Sequence, residues 1–543
     1  MKNGFVRLSL LTTFLFFSEL LAAQNAGDDG SRLFVTILII LVVLIGFVVI
    51  IQVADNLLRI EAKKTGADRS GANFSVFPGL SEFFAPKLAN FVDESRTYVL
   101  TKGHDINLEG DAAADSSTPS VTRYALQPPN FVGMSPIPKL MVEVGDSVKA
   151  GDPIFFDKKT DAVKHVAPVS GEVIAVNRAA KRSIAEVVIL ADKEMSYRKY
   201  DSFDLEAGSR EELVNYLLDS GVWPFIRQRP YNIIADPNVV PANIFVSTFD
   251  TAPLAPNLNY IVQGKEDAFQ KGLDILRMLT LGHVHLGLNA NEDTPPAAAF
   301  TDAIGVEKHW FHGQHPVGNV GVQIHHIAPI SSNDKVWTMG VQDVITLGKL
   351  FTEGKYDASR IVALTGAELN NPSYVNTYIG ANIGDLVAGN LKEGNSRLIS
   401  GDVLSGEQKS QDGFLNLFDD QITAVEEGNY YEMFGWLLPQ KATPTISGTY
   451  PSFGDVKYTA DTNTHGEKRA FVVTGQYESV MPMDIHVQHL MKNIIINDFE
   501  RMEGLGIYEL VEEDVALCEF TCTSKQPLQQ ILRQGLDTMR EDG

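Results

Sequence analysis

Residues 130–190 read NFVGMSPIPKLMVEVGDSVKAGDPIFFDKKTDAVKHVAPVSGEVIAVNRAAKRSIAEVVIL. Val144-Gly145-Asp146, Gly151-Asp152-Pro153 and Ala167-Pro168-Val169-Ser170-Gly171 separate short β-branched runs. Glycine supplies a positive φ without steric cost, and Asp and Pro preset the turn. Glu172 to Val176 and Ala185 to Leu190 then read as strands. The stretch predicts a small, tightly turned β-sandwich.

That pattern resembles the barrel-sandwich domain that carries biotin or lipoyl groups. Counted back from Gly171, the place of the carrier lysine falls on Thr160, and Lys158 and Lys159 come too early. The expectation is a kept fold without its swinging arm. A carrier protein modified on Lys158 or Lys159 is the alternative.

The 543 residues suffice for about three domains, each with its own core. A formal charge of -23 excludes a nucleic-acid role, since nothing would offset phosphate repulsion. Two cysteines rule out a disulfide scaffold and cannot hold an iron–sulfur cluster, which needs four ligands. Residues 1–23, with Lys2 and Arg7 before an apolar run, have the layout of a signal peptide. The uncharged run 33–53 matches the roughly 20 residues that span a bilayer and predicts a transmembrane helix. Asp28 and Asp29 precede it, whereas Arg59, Lys63, Lys64 and Arg69 follow, so the body is expected on the cytoplasmic side.

The expected fold is α+β and multidomain. Residues 54–97 form a juxtamembrane linker in which Phe74, Phe77, Leu80, Phe83, Phe84, Leu88 and Phe91 fall partly at helical spacing. Residues 98–200 form the sandwich. Residues 201–358 alternate helical patterns (Arg210 to Asp219, Lys265 to Leu281) with strands (Ile244 to Ser247, Val284 to Leu288), as in an α/β layer. Residues 359–410 resemble a β-grasp ligand-binding module, and 411–543 turn mostly helical. No glycine-rich phosphate loop follows any strand, so this chain is not expected to bind NADH or flavin nucleotide itself.

Seven of the twelve histidines lie between 283 and 326. His309 and His312 could share a helical turn, and His283 and His285 one side of a strand. No zinc-ligand spacing accompanies them, and no metal is expected. Cys518 and Cys522 read as buried thiols. The basic cluster Arg178, Lys181, Arg182 reads as a solvated turn or an anion contact. Trp223-Pro224-Phe225-Ile226-Arg227-Gln228-Arg229 joins two aromatics and two guanidiniums in one expected loop, which is a candidate slot for an aromatic ring or a packed corner.

Several motifs in order carry a fuller resemblance: Leu100 to Gly110, Phe131-Val132-Gly133-Met134-Ser135-Pro136, Asn177 to Arg182, Ser220-Gly221-Val222-Trp223, Arg227-Gln228-Arg229-Pro230, His315-Pro316-Val317-Gly318, Gln342-Asp343-Val344-Ile345, Phe434-Gly435-Trp436 and Met481-Pro482-Met483-Asp484. Over residues 98–543 the chain resembles the A-subunit family of the sodium-translocating NADH:quinone oxidoreductases. The resemblance implies one component of a six-subunit pump in the bacterial inner membrane. Its α/β domain would be Rossmann-like, related to the flavin subunit of respiratory complex I. FAD, FMN, riboflavin and 2Fe-2S would reside in partner subunits, with quinone as substrate and the membrane-embedded B-subunit as chief neighbour. The family's quinone-linked segment corresponds to Leu126 through Met134. Phe131, Val132, Gly133 and Met134 are therefore candidate quinone contacts, beside Trp223, Phe225, Arg227 and Arg229. A purely structural subunit of the same complex is the alternative.

Overall fold

The computed structural model describes residues 29–65, 87–431, 433–435 and 457–542. Two compact units divide the chain at Lys87 and Leu88.

Among the described residues the first unit contains one helix, Asp29–Thr65, of 37 residues. Ile37, Ile39, Ile40, Val42, Val43, Leu44 and Phe47 are all more than half exposed on it. Among the described residues no helix is long and apolar enough to cross a membrane. Residues 1–23 and Phe74, Phe77, Leu80, Phe83 and Phe84 lie outside the described residues.

The second unit begins with Leu88 and Phe91 packed on its core, Phe91 lying 5.7 Å from the Trp310 ring. Its barrel-sandwich has two small sheets. One orders Arg123–Leu126, Ile184–Ala191, Gly171–Arg178 and Ser147–Val148; the other orders Lys139–Leu140, Pro153–Asp157 and Thr160–Val166. The turn glycines Gly145 and Gly151 have φ of +99° and +95°. Lys158 and Lys159 occupy the exposed turn between Asp157 and Thr160. Not all of the expected sandwich stretch joins it. Thr97–Val99 pairs parallel with Glu307–His312, and Ala113–Ser117 pairs with Ser373–Tyr378. Both are edge strands of other sheets, whose pairing no local pattern encodes.

The α/β layer is a seven-stranded sheet. Asn243–Ser247, Val284–Asn289 and Glu307–His312 run parallel as successive neighbours, and Val336–Thr338 returns to the far side of Asn243–Ser247. Arg227–Arg229 then adds antiparallel to Val336–Thr338. Helix Glu266–Leu279 buries Phe269, Leu273, Ile275, Leu276 and Leu279 at a helical period. It packs on Val341–Glu353 at glycines. A Cβ on Gly272 would stand 2.2 Å from the Val344 carbonyl oxygen, so the two backbones approach only where side chains are missing.

The third sheet orders Glu407–Lys409, Ser396–Ser400, Gln421–Glu426, Ser359–Thr365, Ser373–Tyr378 and Ala113–Ser117. Among the described residues one strand, Gln421–Glu426, lies beyond residue 410. The helices Gln476–Val480, Val487–Ile495, Phe499–Gly504, Glu512–Thr521 and Leu528–Asp542 follow, around a separate core.

Candidate functional site

The strand order reverses between Asn243–Ser247 and Val336–Thr338, because the chain builds away from the first strand on one side and then returns to the other. In open α/β sheets the crevice beyond the carboxyl ends at such a reversal is where ligands bind. A cavity of 250 Å³ lies there, lined by Ser247 and Thr338, the last residues of the two strands. Gly340 and Val341 open the following helix on its wall, and Asp402, Asp419 and Asp420 enter from the third sheet's loops. Glu513 comes from helix Glu512–Thr521.

The lining is acidic. Asp250 is exposed by area, yet the protein crowded around it, with Asp402 and Glu513 adding, pushes its carboxyl up to about 6. Solvent access screens that effect, so it carries little energy. Half-buried Asp420 is likewise raised to about 6 by burial, against the pull of Arg360. Asp402 accepts from the Leu404 and Ser405 amides and the Ser405 hydroxyl, and Asp419 from the Ser400 hydroxyl. Asp343, in the first turn of Val341–Glu353, pairs with Arg360, which donates also to the Gln342 carbonyl and the Thr346 hydroxyl. Carboxylates therefore surround the helix start where a nucleotide fold would place phosphate.

Two polar groups in this wall lack partners among the described residues: Nε2 of His315 and Oγ1 of Thr338, on side chains 3% and 1% exposed. Gly318 N–H donates to the Thr251 hydroxyl oxygen, and that hydroxyl lies 3.2 Å from His315 Nδ1. Burial lowers the imidazole pKa and keeps the ring neutral.

Of the candidate quinone contacts, Arg227 alone lines this cavity. It stands opposite Thr338 in the antiparallel pair, and its guanidinium lies 5.0 Å over the Phe418 ring. Phe131 meets Phe418 from the sandwich side at 6.0 Å, so the two expected segments converge on one ring. Phe131 itself is buried, 4.1 Å from the His165 ring. Val132, Gly133 and Met134 are half-buried, Met134 packing on the core. The segment 223–229 is not a loop: Trp223–Phe225 is a 3-10 turn, and Arg227–Arg229 is a strand. Trp223 is wholly buried, donates to the Ala235 carbonyl at 2.7 Å and sits edge-on to Trp337. Phe225 is buried parallel to Tyr356, and buried Arg229 pairs with Glu513 at 2.9 Å and Asp514 at 3.5 Å. Phe131, Trp223, Phe225 and Arg229 therefore pack corners and present no open slot.

With this geometry in view, similarity decides the family. The chain is 38% identical over 451 residues to the A-subunit of the Na(+)-translocating NADH-quinone reductase of Alcanivorax borkumensis, covering 82% of this chain and 99% of that one. The chain belongs to this A-subunit family. The same subunit of Vibrio atlanticus is 36% identical over 450 residues, again 82% and 99%. Family models match in order: the NqrA N-terminal barrel-sandwich hybrid domain at 98–192, the NqrA second alpha/beta domain at 208–356 and the NQRA C-terminal domain at 361–411. A solved NAD+-reducing NiFe hydrogenase aligns at a TM-score of 0.30 with 11% identity, over 43% of this chain and 52% of that one, too slight a likeness to argue from.

The histidines disperse in this family member. His309 and His312 lie on strand Glu307–His312, not on a helical turn, and the period of two turns positions three apart to opposite faces. His285 Nδ1 lies 3.0 Å from His309 Nε2, His325 pairs with Glu509 at 2.7 Å, and His326 bonds the Pro482 carbonyl. Among the described residues no three His, Cys, Asp or Glu side chains form a metal-holding group. Cys518 and Cys522 are buried, Cys522 Sγ lying 2.8 Å from the Tyr477 hydroxyl.

Proposed function

We propose that this chain acts as the A-subunit of a Na+-translocating NADH-quinone reductase, taking part in quinone reduction and assembly without a redox cofactor of its own. The observation that carries this is near-complete coverage of relatives so named. Other subunits, with the membrane-embedded B-subunit as neighbour, would hold the flavins and the iron–sulfur centre. The α/β layer, with its reversed strand order, is read as Rossmann-like, akin to the flavin subunit of respiratory complex I, and the third sheet as a β-grasp module. The uncharged run 33–53 is read as a membrane anchor on its sequence, which has the roughly 20 apolar residues a span needs. Its cationic C-terminal flank argues for a body on the cytoplasmic side of the bacterial inner membrane.

On this reading Met134 and Arg227 have the surface to meet quinone, with Val132 and Gly133 beside Met134. Phe131, Trp223, Phe225 and Arg229 stiffen the wall behind them. Their burial favours a second reading, a scaffold whose partner binds all the quinone. Mild-detergent purification through a C-terminal tag tests the main proposal. Flavin-bearing subunits and NADH-quinone reductase activity should co-purify; a chain recovered alone contradicts it. Unchanged quinone kinetics in both Met134→Ala and Arg227→Gln complexes would select the scaffold reading.

A further inference from the structure

The crevice at the strand reversal carries carboxylates that the proposed function does not use. Asp250, Asp402, Asp419, Asp420 and Glu513 line it, and Arg227 is the one cation among the lining residues. Arg229, outside the lining, pairs with Glu513, and Arg360 stands 3.9 Å from Asp420. Asp250, Asp402 and Asp419 are in no ion pair among the described residues. A crevice so charged repels anions and concentrates cations.

Two buried groups on the same lining need a partner. His315 and Thr338 are 3% and 1% exposed, and His315 Nε2 and Thr338 Oγ1 make no hydrogen bond among the described residues. The His315 ring donates to the Thr251 backbone, so its hydrogen is assigned to Nδ1 and Nε2 is left an acceptor. A buried acceptor left unmade is costly. Among carboxylates, its complement is an N–H donor that carries positive charge.

The layout of the charge selects among cations. The charges of Asp402 and Glu513 are felt at both Asp250 and His315, that of Asp402 at Asp419, and that of Asp419 at Asp420. Negative charge therefore runs in a row and does not gather at a point. Among the described residues no three of these side chains form a metal-holding group. Phe249, Leu258 and Met339 add apolar surface to the lining. A volume of 250 Å³ far exceeds a bare ion and lies just below the roughly 300–1,000 Å³ of drug-sized ligands. An elongated cation fits this description, with N–H groups at both ends and methylenes between.

We propose that the crevice binds a linear aliphatic diammonium ion. One ammonium donates to His315 Nε2 and Asp402, the other to Asp419 and Asp420, and the methylenes lie on Phe249 and Leu258. Thr338 Oγ1 offers a further acceptor. The site does not depend on the quinone reading.

The test is equilibrium dialysis of radiolabelled putrescine against the full chain in neutral detergent at low salt. One saturable site per chain is expected, with butylamine about tenfold weaker and butanediol unable to compete. His315→Leu should weaken binding about tenfold, as for one lost hydrogen bond to a charged group. His315→Gln, which keeps an acceptor, should weaken it less. Asp402→Asn and Asp419→Asn should each weaken it about tenfold. The unsubstituted chain decides even where a variant fails to fold: absence of saturable binding overturns the proposal. Butylamine binding as tightly as putrescine overturns the second ammonium position. Several sites per chain, indifferent to all these substitutions, would be loose uptake by a polypeptide of charge -23 and would overturn the crevice.

Discussion

Arg227 and Thr338 are cross-strand partners at the edge where the parallel sheet turns antiparallel, and both face the same cavity. Phe418 lies beneath the guanidinium and carries the contact across to Phe131 in the sandwich. A planar cation on an aromatic face contributes about 0.5–1 kcal/mol at a half-exposed site, and lysine does not reproduce its fork. Arg227→Lys should therefore raise the quinone KM two- to fivefold while the complex still assembles. Steady-state kinetics of the purified complex check this.

His165 is a buried titratable group of the sandwich. It is 2% exposed, stacks on Phe155 at 4.8 Å, and neither ring nitrogen has a partner among the described residues. Burial pushes its pKa down to about 3. A histidine depressed in the folded state contributes stability that is present above its unfolded value of about 6.5 and is lost as pH falls from there toward 3. At pH 5 the loss is about 2 kcal/mol. His165→Leu should remove that acid sensitivity. Melting the full chain in detergent at pH 7 and pH 5 measures the difference, which should shift in the variant's favour at the lower pH.

Arg360 joins helix Val341–Glu353 to the third sheet through Asp343, Gln342 and Thr346. It is 3% exposed, so its loss strands a buried carboxylate. Arg360→Met should cost about 3–5 kcal/mol, and adding Asp343→Leu should recover part of it. Thermal melting of the single and double variants decides whether the pair acts as a unit.

Gly133 has φ of +81°, and a Cβ there would stand 1.9 Å from a nitrogen of the Arg540 guanidinium. That side chain can swing away, but an L-residue still pays about 1–2 kcal/mol for the left-handed backbone. Gly133→Ala should therefore lower the melting temperature by several degrees. A double variant with Arg540→Ala should recover only the steric share.

The sandwich was legible because its turns need glycine at fixed places, and Gly145 and Gly151 meet that need. The amphipathic helices were legible for the same kind of local reason: Arg210–Ser220 and Glu266–Leu279 lie close to their expected bounds. Trp223, Phe225 and Arg229 left slot and corner open in the sequence, because aromatics and guanidiniums compose a packed corner as readily as a ligand slot. The strand that removes them from a loop is fixed by its pairing with Val336–Thr338, more than a hundred residues away. His315 and Thr338 gave no signal as a pair, since only the order of strands brings their segments to one crevice. Edge pairing of Thr97–Val99 and Ala113–Ser117 was hidden for the same reason.

The central claim is that this polypeptide works as one component of a larger enzyme, beside an electron acceptor. Prepare the complex without it, and separately the chain without companions, and assay both for NADH-dependent quinone reduction with sodium present. The account predicts that neither is active and that mixing them restores turnover. Quinone reduction by the depleted complex, or NADH oxidation by the isolated chain, would contradict it.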